Sequence, residues 1–445
     1  MNKNKRILLV HPEISRTKYN FAGIIDNEPL ELEYISAALE KHGFTPFIWD
    51  GQVETKSFSE YLKEIDPEFV YICGRTRQEN FMLEYCREAK KHGAITMIGG
   101  LHAQHNFKRL FFDEIDYIFT GFDPELIAEI AIGKSPESMN NLCWNENGKW
   151  HINKSVPYDI QNLPRPNRTQ FYAHKGRYRY LELLPCAHVR TAYSCPYHCT
   201  FCSRNELNCG KYTVRDIDDV VDEIASIECE NIYIIDDDFL FNEERINRFI
   251  SLIKERKICK RFVCYGRADY IASHEAQMQA LKEIGFYYIL TGLEAADDTH
   301  LDRYNKRTQM SVNSEAAEIL HRVGIHMMGM FIVDLDFQYK DFRAIEKWIK
   351  THKLKHAAIS IFTPEMHSHL MENYRDRLIT NDPSHWDYLH VVAKPEHMSV
   401  QRYYMHYHIL VVKLFLRAWR QGVYDFIDYK FFIKSMLKNL FRFGG

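Results

Sequence analysis

The segment "CPYHCTFC", residues 195–202, sets Cys195, Cys199 and Cys202 at spacings of four and three, with Phe201 just before the last thiol. Three thiolates on one short loop suit a metal centre, and three readings compete: an iron–sulfur cluster, a zinc ion, or ordinary buried thiols. Clusters are usually held by four cysteinates. Three would leave one iron of a cubane open, much as catalytic zinc sites hold three protein ligands and keep the fourth position free. Zinc would need His188, His198 or Cys209 to complete a tetrahedron, and structural zinc sites usually pair two Cys-x2-Cys knuckles, of which this chain has one. Unligated buried thiols are common, but three within eight residues argue against them. The spacing and the aromatic favour the cluster.

Composition narrows the surroundings. The chain has 445 residues, 46% hydrophobic and 26% charged, with a formal net charge of −3. That length predicts two or three domains, and that charge gives no sign of nucleic-acid binding. The apolar run after the basic start "MNKNKR" is too short for a signal-peptide core. No stretch of 18 apolar residues predicts a transmembrane helix. Eleven cysteines without a secretion signal point to a reducing compartment, with the cytoplasm expected.

The elements that must position the thiols follow from periodicity. Residues 1–135 alternate apolar strands ("RILLVHP", "FVYICGR", "ITMIGG") with amphipathic helices, which predicts a doubly wound α/β domain around a parallel sheet. Its ligand edge lies where the strands' carboxyl ends meet the loops. Residues 136–187 read as a linker, with a hairpin turn at Asn147-Gly148. From 188 to 365 a second alternation gives six βα steps, a partial (β/α)6 barrel with functional residues at the strands' carboxyl ends. The cysteine loop follows its first strand. Residues 366–445 read as a mostly helical extension.

The loop "CPYHCTFC" resembles the CxxxCxxC loop of the radical S-adenosylmethionine (SAM) superfamily. Six βα units behind it and a doubly wound domain in front are similar to that superfamily's cobalamin-binding subfamily. The resemblance implies that Cys195, Cys199 and Cys202 hold a 4Fe–4S cluster whose open iron is chelated by SAM. An electron then splits SAM into methionine and a 5′-deoxyadenosyl radical. Phe201 would lie along the adenine. In "IIDDDF" a carboxylate from Asp236, Asp237 or Asp238, with Asp237 the choice, would meet the methionine ammonium; a metal site or solvated loop start is the alternative. Arg267 in "YGRADY" would lie near the SAM carboxylate, or else pair with Asp269 or Asp236. Glu294 in "TGLEAA" would contact SAM, or form a structural ion pair. Asp334 stands where a glycine is usual in the fifth strand, a departure that bears on the adenine contacts.

In the first domain the Asp-x-His-x-x-Gly sequence of classical cobalamin modules is absent, and His11 lacks its spacing. Many members of the SAM-linked subfamily lack it too. "GGLHA" resembles their Gly-Gly-x-His-x stretch, which makes Gly99, Gly100 and His102 the cobalamin-binding candidates; glycines there let backbone approach the cofactor. "GFDPE" and "YICGRTRQ" depart from the pattern, so a purely structural domain is the competing reading.

The tail is basic. From Arg402 onward eight Lys/Arg face Asp425 and Asp428, which gives the tail +6 and the remainder −9. Lys430, Lys434, Lys438 and Arg442 recur every four residues among Phe, Ile, Met and Leu. That predicts a helix at an anionic membrane surface, or one docked on the barrel with a solvated lysine face. "HILVVKLFLRAW" reads as a core helix, because Lys413 and Arg417 interrupt it.

The expected protein is a cytoplasmic radical SAM enzyme that methylates an unactivated carbon of a lipid-like or secondary-metabolite substrate, with cobalamin as methyl donor. It would draw electrons from a flavodoxin- or ferredoxin-type donor. The alternative is radical rearrangement, ring formation or oxidation without methyl transfer; a non-catalytic cobalamin or redox sensor is the third reading.

Overall fold

The computed structural model describes residues 6–15, 17, 24–430 and 433–434. Its first sheet is built from strands that are apolar along their whole length because helices cover both faces. These are β1 (Arg6–His11), β2 (Thr45–Asp50), β3 (Phe69–Cys73), β4 (Ile95–Gly99) and β5 (Tyr117–Phe119). In β1, Ile7, Leu8, Leu9 and Val10 are all fully buried. The helices are α1 (Leu30–Lys41), α2 (Phe58–Ile65), α3 (Glu79–His92), α4 (Gly100–Asn106) and α5 (Glu125–Ala131). Local chemistry sets their ends: Ser57 and Glu60 form a capping box at α2, and Gly93 closes α3 at φ +91°. The parallel strands run β2-β1-β3-β4-β5, and the predicted hairpin, β6 (Leu142–Glu146) and β7 (Lys149–Ile152), adds two antiparallel strands at the β5 edge. The first part of the linker therefore belongs to this sheet.

The second sheet has six parallel strands in sequence order: β8 (Cys186–Val189), β9 (Asn231–Ile234), β10 (Arg261–Tyr265), β11 (Phe286–Glu294), β12 (His326–Val333) and β13 (His356–Ile361). Between them run α6 (Ile217–Ser226), α7 (Glu243–Glu255), α8 (Glu275–Glu283), α9 (Met310–Val323) and α10 (Tyr339–Thr351). This is the open six-step barrel that the sequence predicts.

A buried ionic knot welds the halves together. Arg168, from the linker, bonds Glu28 at 2.6 Å, Glu223 of α6 at 2.8 Å and the His188 carbonyl at 2.7 Å, with Glu33 of α1 at 3.8 Å. Arg215 adds a second guanidinium on Glu223 at 2.6 Å. Arg165 also approaches Glu223, at 3.5 Å, and burial pushes Glu28 up to about 7 and Glu33 well above the usual range.

Residues 366–399 cover the first domain's flank, where Asn80 donates to Asp382 at 2.9 Å. The last long helix, α11 (Val400–Arg420), packs on the barrel through Tyr403, whose hydroxyl donates to the Val333 carbonyl, and Tyr407, which donates to that of Ile359. The core-helix reading holds for one face, where Leu410 and Ala418 are buried and Val411 and Leu414 pack on the barrel core. Lys413 turns inward to Glu346 at 3.0 Å and Arg417 to the Leu354 carbonyl at 2.5 Å. Met405, Ile409, Val412, Leu416 and Trp419 point outward instead, between 41% and 53% exposed. Of the tail stripe, Lys430 and Lys434 are exposed; Lys438 and Arg442 lie outside the described residues.

Candidate active site

The cysteine loop springs from the first barrel strand and is held by a neighbour rather than by its own chain. Thr200 donates its N–H to the Tyr304 carbonyl and its hydroxyl to that of Arg303, both at 3.0 Å, while the Asn305 amide grips the His198 carbonyl at 2.8 Å. Ser194, at φ +71°, turns the chain into the loop. Cys195, Cys199 and Cys202 are all partly exposed. Burial pushes the Cys195 thiol up to about 11 and the Cys202 thiol to about 12, so loading a metal centre must displace protons.

The donor set fits a cluster better than zinc. Tetrahedral zinc would draw thiolate sulfurs to roughly 3.8 Å from one another. Among the described residues, the ligand trios converging within 4.8 Å do not include these three sulfurs. Of the zinc-completing residues, His188 is buried against Tyr233 at the knot and His198 faces Asn205 at 3.0 Å, while Cys209 is an exposed free thiol.

Around the loop stand the ends of the other strands. Arg267 follows β10, with its guanidinium 4.0 Å over the Tyr197 ring and Nη1 3.9 Å from the Cys199 sulfur. It bonds Asp269 at 2.7 Å and the Lys306 carbonyl at 2.6 Å, so the predicted Asp269 pairing is present while the cation still reaches the thiol. Glu294 ends β11 in a left-handed conformation, φ +58°, and forms a buried ion pair with Lys306 at 2.8 Å. Phe201 meets Tyr304 edge-on at 5.1 Å, and the Tyr304 hydroxyl donates to Asp334 at 2.7 Å. The aspartate standing where glycine is usual therefore braces the ring that supports Phe201.

The three aspartates after β9 have different surroundings. Asp236 is enclosed by the Thr191 and Ala192 amides and the Thr191 hydroxyl, which fastens the start of the cysteine loop. Asp237 faces Arg204 at 3.4 Å. Asp238 is buried, neither oxygen meets a side-chain donor, and burial holds its carboxyl well above the ordinary range, with Arg267 and Lys306 as the opposing charges. An orphaned buried carboxylate beside the loop is suited to a cationic ligand group. Sequence reasoning missed Asp238 as the free member of the run, and it missed Lys306 and Tyr197. Only side-chain packing separates adjacent aspartates, and Lys306 sits in a loop without a spacing signal.

In the first domain the candidates are placed differently. A Cβ on Gly99 would lie 1.9 Å from the Tyr71 hydroxyl, and one on Gly100 (φ +83°) would lie 2.7 Å from the Cys73 sulfur. The glycines thus permit close packing inside the domain. His102 is buried, with Nε2 2.6 Å from Glu79 and Nδ1 3.2 Å from Thr76, and it braces α4 against α3. The carboxyl edge nonetheless faces the barrel: the Tyr193 hydroxyl donates to Gln104 at 2.5 Å, and Arg190 lies over Phe122 and Tyr193. Glu31, beside Cys73 and pushed up by desolvation, stands on the same edge. A cofactor carried on that edge meets the barrel mouth.

Residues 189–349 match the family model described as the radical SAM superfamily, and residues 25–131 match the B12 binding domain. The chain is 24% identical to the hopanoid C-3 methylase of Methylococcus capsulatus, over 90% of this chain and 78% of that one. It is 24% identical to the anaerobic magnesium-protoporphyrin IX monomethyl ester cyclase of Cereibacter sphaeroides, over 88% and 68%. To the bacteriochlorophyllide d C-12(1)-methyltransferase of Chlorobaculum tepidum it is 23% identical, over 89% and 84%. The fold matches that of the cobalamin-dependent SAM radical enzyme OxsB with a TM-score of 0.65 at 17% identity. That match covers 80% of this chain and 53% of the longer one, so this chain spans about half of it. The radical SAM domain implies a 4Fe–4S cluster and SAM, and the B12 domain implies cobalamin. Residues 25–131 thus form a B12 binding domain and residues 189–349 a radical SAM domain, facing each other across the barrel mouth, which is the domain make-up of the cobalamin-binding radical SAM enzymes.

Proposed function

We propose that the protein methylates an unactivated carbon of a hydrophobic small molecule, and that Cys195, Cys199 and Cys202 are its cluster ligands. The observation that carries this reading is the open three-thiol loop at the barrel mouth, facing the carboxyl edge of the B12 domain. The cluster supplies the electron that cleaves SAM, and methylcobalamin supplies the methyl group. Asp238, rather than Asp237, receives the methionine ammonium, because Arg204 already occupies Asp237. Arg267, 3.9 Å from the Cys199 sulfur, would meet the SAM carboxylate, and the Asp334–Tyr304–Phe201 chain would set the adenine surface. Gly99, Gly100 and His102 shape the edge that carries cobalamin, the last by bracing α4. Glu294 acts through Lys306.

The hydrophobic substrate class is supported by α11. Its outward stripe recurs at spacings of three and four, the helix contains no carboxylate, and Arg402 and Arg420 flank it. Such a face suits an anionic lipid surface, from which a lipid-like substrate would enter. No described helix is long and apolar enough to cross a membrane. Sedimentation with anionic and neutral vesicles tests this part: Val412→Asp should abolish anionic binding, and equal recovery with both lipids would refute it. A small flavodoxin- or ferredoxin-type protein serves as reductant.

The relatives that are ring-forming cyclases favour a second reading, ring closure without methyl transfer. Product analysis of the reduced, cobalamin-loaded enzyme separates the two. Methylation yields S-adenosylhomocysteine together with 5′-deoxyadenosine. Deoxyadenosine without S-adenosylhomocysteine selects ring closure.

A further inference from the structure

Among the described residues, two trios of ligand-type side chains converge within 4.8 Å. His300 with Asp334 and Asp336 is satisfied internally: Asp297 faces Nδ1 at 2.8 Å, Arg303 bonds Asp336 at 2.5 Å, and Tyr304 donates to Asp334. The trio of His105, Glu206 and His367 is not.

These three come from separate parts of the chain: the end of α4, the turn after the cysteine loop, and the segment beyond β13. The two imidazoles stack face to face, with ring centroids 3.9 Å apart and planes 8° apart. Burial pushes the His105 imidazole down to about 3 and lowers that of His367 as well. His105 Nε2 and His367 Nδ1 are buried and meet no hydrogen-bond partner, and Glu206 stands 3.2 Å from His367 Nε2. Buried imidazole nitrogens without partners are costly, so a missing ligand is the economical account of them. A cavity of 470 Å³, bordered by Phe107, Met366, Met371 and Trp386, opens beside the pair. Arg204, on the cluster side of His105, is held by Asp237, and Lys108 and Arg109 border the cavity on the other side.

We propose that His105, Glu206 and His367 bind a divalent transition-metal ion of the zinc class, separate from the iron–sulfur cluster. Two imidazoles and a carboxylate are a ligand set of catalytic zinc, which leaves a fourth position free, here toward the cavity. At metal–nitrogen distances near 2.0–2.1 Å the ligand atoms would lie roughly 3.3 Å apart, so the trio must close and one ring must turn out of the stack to bring both in-plane lone pairs onto the ion. The ion would fasten the B12 domain, the cluster loop and the C-terminal segment at one point.

The test loads the full chain with cluster and cobalamin under anaerobic conditions. Zinc is then measured by elemental analysis and by competition with a chromophoric chelator. One zinc per chain is expected beyond the iron. His105→Ala and His367→Asn should each weaken zinc binding by at least about 100-fold, since even outer-shell changes cost 10–100-fold. Iron content reports that the variants fold, and Cys199→Ala should keep its zinc while losing iron. The proposal is overturned if the native holoenzyme binds no zinc, if zinc is indifferent to both histidines, or if it departs with the cluster. It is also overturned if nitrogen splitting on the Co(II) resonance of bound cobalamin disappears in His105→Ala, because the imidazole would then serve cobalt.

Discussion

The barrel mouth and the carboxyl edge of the B12 domain present their motif residues in opposite ways. At the mouth, Cys195, Cys199 and Cys202 stand partly exposed, with the Arg267 guanidinium 3.9 Å from the Cys199 sulfur. At the edge, Gly99 and Gly100 pack against Tyr71 and Cys73, and His102 is enclosed by Glu79 and Thr76. A ligand motif specifies side chains that must remain free, whereas a glycine motif specifies how closely backbone may approach, and here its nearest neighbours are the domain's own. The first kind can be carried from sequence to chemistry residue by residue; the second reports shape.

Variants can break or sharpen this contrast. The largest effect is expected from Cys199→Ala, which should take iron from about four per chain to background and abolish SAM cleavage, with far-ultraviolet circular dichroism unchanged. A full cluster in this variant would end the ligand assignment. Arg168→Met takes the guanidinium from Glu28 and Glu33, while Glu223 keeps Arg215 and Arg165, and breaking a buried pair costs about 3–5 kcal/mol. Denaturant titration followed by fluorescence should show that loss, and the two domains should cease to unfold together. His102→Ala removes a buried bond to a carboxylate worth about 2 kcal/mol and should weaken cobalamin binding only through that destabilisation. Collapse of cobalamin affinity at unchanged stability would make His102 a direct contact instead. Tyr304→Phe strands Asp334 and should cost about 1–2 kcal/mol, with a several-fold rise in the Kd for SAM measured calorimetrically.

The smallest effect is a pH dependence. Asp297 and Asp336 raise His300 from 6.5 to about 9, against the opposing pull of desolvation. Its contribution is complete below pH 6.5 and is lost as pH rises through 9. The denaturation midpoint should fall across that window in the native protein and stay flatter in His300→Gln.

The six βα steps were legible because each buried strand is apolar throughout, and Asn147-Gly148 announced the hairpin. That the hairpin completes the first sheet was not legible, since edge pairing with β5 has no local signature. The cluster loop could be read from spacing alone, but the fates of Asp236, Asp237 and Asp238 depend on Thr191, Arg204 and the barrel interior, which come from distant sequence. In α11 the cations at 413 and 417 read as interruptions of a core face. They bond Glu346 and the Leu354 carbonyl beside the packed face of Leu410, Val411 and Leu414, and a second apolar stripe from Met405 to Trp419 is left outside.

Arg267 has one further consequence, an electronic one. A mostly buried guanidinium 3.9 Å from the Cys199 sulfur, with Lys306 behind it, places fixed positive charge where a reducing electron would arrive. Charge and hydrogen bonding at the sulfurs set the potentials of such centres, so this arrangement favours the reduced state. Arg267→Met should shift the midpoint to more negative values by tens of millivolts, and a donor able to reduce the native enzyme would then fall short. The arginine thereby helps decide which electron carriers can drive the protein.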